Sequence, residues 1–149
     1  MHGKNGLHMD TQSDPLAKLF RDNASIQEEE REKLAALLEP YVVLGNEKDI
    51  RSMNFKPAFL QLVNVEKLEI IFLSEKARAL FFKDGKNEGL GQGDIISLNA
   101  MPSGSVKSSL KKLADDKKVV QVSTGKYIIP NYRIHELFTK YFKEESNEK

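Results

Sequence analysis

The sequence predicts an α+β fold, mainly helical. Three observations carry that prediction. A broad apolar stripe of helical period runs from Val65 through Leu68, Ile71, Phe72, Leu73, Ala77 and Leu80 to Phe81. A narrower stripe, Val106, Leu110 and Leu113, lies within SGSVKSSLKKLADD (Ser103 to Asp116). Directly after it, two short β-branched runs, Val119 to Ser123 and Lys126 to Ile129, flank the turn pair Thr124-Gly125.

The totals set the outer limits. A chain of 149 residues suffices for one core without covalent staples. With 40% hydrophobic and 30% charged residues it has the balance of a soluble globular protein. There is no cysteine, which excludes disulfides and thiolate metal sites and fits a reducing cytoplasm. No apolar run approaches the ~20 residues that span a bilayer, so no membrane partner is expected. The net charge of +1 conceals an asymmetry. From Asp10 to Pro40 eight acids face four bases, whereas from Ser103 to Arg133 seven bases face two acids. A chain neutral in total and basic at one end can bind a polyanion locally.

Residues 1–13 are polar and aperiodic and are read as a disordered tail. Residues 14–64 form an extension. In it, Asp14-Pro15 opens a short helix with Leu16, Leu19 and Phe20 on one face. Ser25 opens a second helix, with Glu28 completing a capping box and Glu28, Glu29 and Glu30 in the first turn, where the dipole favours acids. Leu34, Leu37 and Leu38 supply its buried stripe, and Pro40 ends it. Tyr41 to Leu44 and Asp49 to Phe55 read as a small hairpin about Gly45-Asn46, and Pro57 begins a helical turn reaching Leu62.

Residues 65–143 make the principal unit, and 144–149 a second disordered tail. The long stripe from Val65 marks the central helix, stopped at Asp84-Gly85. Lys86 to Gly93, KNEGLGQG, is glycine-rich but lacks Gly-Lys-Ser/Thr and follows a helix, so it reads as a flexible connection and not as a phosphate loop. Asp94 caps a short helix with Ile95, Ile96 and Leu98. Ser103 caps the next, which runs to about Lys117. A last amphipathic helix, Tyr132 to Phe142, follows Pro130-Asn131.

Two helices joined by a short turn and followed by a β-hairpin resemble the winged helix-turn-helix superfamily. Asp94 to Leu98 match the second helix, Ser103 to Leu113 the recognition helix and Val119 to Ile129 the wing. The valine followed by leucines four and seven positions later is shared. The chain departs from the pattern after the recognition helix, where Lys117-Lys118 stands in place of the usual glycine. The resemblance covers about half the chain. It implies a small cytoplasmic protein that binds double-stranded DNA, a regulator of transcription, with a homodimer formed through the acidic helix or the C-terminal one. The alternative is a winged-helix module that binds another protein inside a larger complex.

Helical geometry gives the same face independently. At about 100° per residue, Val106, Leu110 and Leu113 fall within one narrow arc and must turn inward. The opposite arc carries Gly104, Lys107, Ser108, Lys111, Lys112 and Asp115. Lysines neutralise phosphates, and serines near a helix start bond phosphates or base edges. The expected contacts are therefore Ser103, Ser105, Lys107, Ser108, Lys111 and Lys112, with Lys126 on the wing. Arginine, asparagine and glutamine, the best bidentate readers of bases, are missing from this helix, so phosphate and shape recognition are expected over base readout. No cofactor, metal or small-molecule ligand is expected. His135 has no ligand partners at metal spacing, the acids Glu28 to Glu32 are explained by their helix, and no nucleophile motif is present, so an enzyme is not expected.

Overall fold

The computed structural model describes residues 15–16, 23–45, 49–82 and 88–143. Helix α1 spans Asn23–Leu38, and strands β1 (Val42–Leu44) and β2 (Met53–Phe55) form an antiparallel hairpin. The single turn α2 (Pro57–Leu60) leads into the long helix α3 (Asn64–Phe81). Then come α4 (Gln92–Ile96), α5 (Ser103–Asp115), the antiparallel pair β3 (Val120–Ser123) and β4 (Lys126–Ile128), and α6 (Tyr132–Phe138), which continues as one π-helical turn, Thr139–Lys143. The expectation of an α+β, mainly helical chain holds, with two small hairpins where the sequence suggested them. Among the described residues no helix is long and apolar enough to cross a membrane.

Helix α3 is the centre of the packing. It touches α1, β1 and α5, while α1 also packs on α6 and α4 on α5. Its Leu68, Ile71, Phe72 and Leu73 are fully buried, as the long stripe predicts. Phe81, expected in the same stripe, is 68% exposed and lies against Phe82 at the end of α3. Leu34, Leu37 and Leu38 of α1, Val106, Leu110 and Leu113 of α5, and Ile134 and Leu137 of α6 join one continuous core. The N-terminal extension and the principal unit thus share a single apolar interior.

Several local expectations need correction. Helix α1 already includes Asn23, so Ser25 does not cap it, Glu28 to Glu30 lie beyond the first turn and the dipole does not account for them. Asp14, Leu19, Phe20, Asn46 and Asp84-Gly85 lie outside the described residues, as do both tails. The N-cap of α4 is Gly91. Asp94 serves it from the third helical position, where Oδ2 accepts the Gly91 N–H at 2.8 Å. The N-cap of α5 is Pro102, whose extended backbone (φ −59°, ψ 151°) lets its carbonyl accept from Ser105 and Val106; Ser103 is the first helical residue and not the cap.

The stretch expected to be a flexible connection is anchored where it is described. Leu90 is buried and exchanges two backbone hydrogen bonds of 2.9 Å with Tyr127, adding a one-residue bridge beside β4. Gly91 comes so close to the hairpin turn that a Cβ there would lie 2.7 Å from the Gly125 carbonyl oxygen. Glycine at 91 is therefore a packing requirement.

Helix α5 stops at Asp115 rather than Lys117. Lys117 takes the left-handed conformation (φ 61°), and the Lys117 and Lys118 N–H groups cap the Ala114 and Leu113 carbonyls at 3.0 and 2.8 Å. A lysine thus occupies the place that glycine favours, at a steric cost of about 1 kcal/mol. Lys117→Gly is expected to stabilise the fold by about 0.5–1 kcal/mol, read as a higher midpoint in thermal unfolding.

Candidate nucleic-acid interface

Helix α5 is oriented by its apolar edge. Val106, Leu110 and Leu113 are each no more than 3% exposed, and the small Ser109 is buried between the turns that carry them. That anchoring leaves Ser103, Gly104, Lys107, Ser108, Lys111 and Lys112 exposed on the other side, with Ser105 half-buried at the margin. The turn that sets α5 against α4 is short. Leu98 and Asn99 N–H groups bond the Ile95 and Ile96 carbonyls, and Asn99 adopts φ 56°, a conformation asparagine tolerates better than most residues.

The exposed face is positive, and part of its charge is already matched. Lys111 pairs with Asp115 one turn on, at 3.0 Å, so Asp115 neutralises part of the charge of this face. Ser108 Oγ donates back to the Ser105 carbonyl at 3.3 Å. Lys107 and Lys112 have no acidic partner among the described residues. Ser108, Lys111, Lys112, Asp115 and Asp116 border an open hollow of about 350 Å³, a surface depression and not an enclosed site.

No family model, characterised protein or solved structure matches this chain.

The hairpin adds one cation, placed differently from the expectation of a free wing lysine. Lys126 Nζ sits 2.9 Å from Asp94 Oδ2, so Lys126 is tied to the start of α4. Spacing in the sequence does not reveal this contact with Asp94, since the two positions are 32 apart and only the folded hairpin joins them. Strand β3 is the outer strand of its hairpin and is exposed along its length, with Val120 and Val122 among the exposed large apolar residues. Alternation in the sequence therefore does not translate here into one buried face.

Elsewhere the surface offers less chemistry. Among the described residues no group of three histidine or acidic side chains could hold a metal ion. His135 has a structural neighbour instead: its Nδ1 lies 2.9 Å from Lys33 Nζ, across the α1–α6 contact. The two helices expected as alternative dimer faces thus pack on each other within one chain. A groove of about 360 Å³, unforeseen from sequence, runs between α1, β1 and the end of α3 and is lined chiefly by aliphatic and phenylalanine side chains. Arg31 on its rim donates to the Leu80 carbonyl at 2.9 Å. Near the other hairpin, hydrogen bonds from Arg51 hold the Asp49 carboxyl down to about 2, a local turn contact on an exposed loop.

Proposed function

We propose that α5 and the β3–β4 hairpin form a winged-helix surface for double-stranded DNA and that the protein acts as a small DNA-binding regulator. The observation that carries this reading is the inward lock of Val106, Leu110 and Leu113, which leaves Lys107, Ser108, Lys111 and Lys112 on one exposed helix face beside a hairpin. Lysines and hydroxyls of this kind grip phosphates and carry little base readout, so binding is expected to be strongly salt-dependent and weakly sequence-dependent.

The test is a duplex of mixed sequence titrated at two salt concentrations. Lys107→Glu with Lys112→Glu is expected to weaken binding roughly 10–100-fold at about 50 mM salt and to flatten the log K against log[salt] slope by about 2. Both side chains are exposed, so circular dichroism and the unfolding midpoint should not change. Unaltered affinity in the double variant would remove α5 as the interface.

One observation favours a second reading. An outer strand bearing Val120 and Val122 in solvent is a natural docking edge for another protein. Absence of duplex binding at low salt, together with a stable protein partner lost on Val122→Lys, would support that module instead.

A further inference from the structure

The Asp94–Lys126 pair spans two elements that are already fastened without it. Leu90 and Tyr127 exchange two backbone hydrogen bonds of 2.9 Å, and Gly91 packs directly on the Gly125 carbonyl. The pair is therefore redundant as a fastener. It is also accessible, with the Lys126 and Asp94 side chains 48% and 40% exposed. Exposed pairs are weak and screened by salt, so the ammonium is exchangeable. The Asp94 carboxylate is fixed in place, because the same Oδ2 accepts the Gly91 N–H at 2.8 Å. A stationary anionic oxygen 2.9 Å from Lys126 Nζ is at the distance an ammonium keeps from a phosphate oxygen.

We propose that Asp94 is an internal competitor for phosphate, holding Lys126 neutralised in the free protein and surrendering it when a duplex docks. The inference rests on the duplex-binding reading of α5 and the hairpin. It assigns Asp94 a positioning role with a definite sign: the carboxylate lowers affinity, so that the wing contributes only when the helix has brought a phosphate close enough to displace it. Lys111 and Asp115 are paired differently, within one helix, and do not link the helix to the wing.

The experiment is a double-mutant cycle read by anisotropy of a labelled duplex of about 20 base pairs at two salt concentrations. Asparagine at 94 keeps an oxygen acceptor for the Gly91 N–H, so Asp94→Asn removes charge and leaves the cap. Asp94→Asn is expected to tighten binding about 3–10-fold and to steepen the salt slope by up to about 0.9. Lys126→Gln alone is expected to change affinity less than about 2-fold, and in the Asp94→Asn background it should abolish most of the gain. A gain that survives Lys126→Gln would overturn the proposal, since it would reflect general charge removal. Unchanged or weaker binding by Asp94→Asn would also overturn it. Failure of the underlying reading looks different: wild-type protein would then not bind the duplex, or would bind it equally well with Lys107→Glu and Lys112→Glu, and both proposals would fall together.

Discussion

Phe72→Ala is expected to destabilise the fold by about 3–5 kcal/mol, the range for deleting a fully buried aromatic ring and leaving the space behind it. Phe72 has no solvent exposure and lies midway along α3, the helix that contacts α1, β1 and α5. Surroundings held by three elements cannot collapse into the vacated volume without losing contacts of their own, so the cavity term is expected in full. Against a total stability of order 5–15 kcal/mol for a domain, that is a large fraction. In urea the midpoint should fall by about 1.5–3 M with the slope unchanged. Phe81→Ala is the internal control. Phe81 belongs to the same helix and the same sequence stripe but is 68% exposed, and its truncation should change stability by less than about 1 kcal/mol. Equal effects of the two substitutions would contradict the placement of α3.

That contrast shows what a periodic pattern conveys. Spacing identified α3 as the central helix, and it identified Val106, Leu110 and Leu113 as the inward edge of α5, because a helix imposes the same angular step on every residue. Spacing does not say how fully each turn is covered by its neighbours, and so it placed Phe81 and Phe72 alike. The features it missed are all non-local. Leu90 pairs with Tyr127, and Asp94 with Lys126, through a hairpin more than thirty residues further along the chain. Helix termini were misjudged for a related reason. Ser25, Asp94 and Ser103 each have the chemistry of a cap, but Pro102 and Gly91 cap α5 and α4 through backbone geometry set by the preceding turn. Nor does hydropathy announce that Glu69, Glu75, Lys76 and Arg78 of α3 are buried. Each polar head finds a partner on a segment distant in sequence. Lys76 Nζ lies 3.0 Å from a Glu88 carboxylate oxygen and 2.6 Å from Asn131 Oδ1. Glu75 accepts the Gly89 N–H at 3.0 Å, and Arg78 donates to the Ser52 carbonyl at 3.0 Å. Burial drives the Glu88 carboxyl upward against the pull of Lys76.

Glu69→Ala is the second large effect expected, at about 3 kcal/mol. The Glu69 carboxylate pairs with Arg133 of α6, and both side chains are at most 10% exposed. Burial disfavours the Arg133 guanidinium charge, but the hydrogen bonds it donates to Glu136 and Glu69 outweigh that and hold its pKa above the ordinary arginine value. Deleting Glu69 leaves that charge in a poorly solvated place with Glu136, at 2.7 Å on the more exposed side, as its remaining carboxylate. The loss should therefore sit at the low end of the range for a broken buried pair, not near zero. Replacing both partners separates the cost of an orphaned charge from the worth of the pair. Glu69→Leu with Arg133→Met keeps the volume, removes both desolvation penalties and should recover most of the stability. If Glu69→Ala were to cost less than about 1 kcal/mol in urea unfolding, water would have to reach Arg133 freely. Arg133 would then be more open to solvent than its 8% exposure allows.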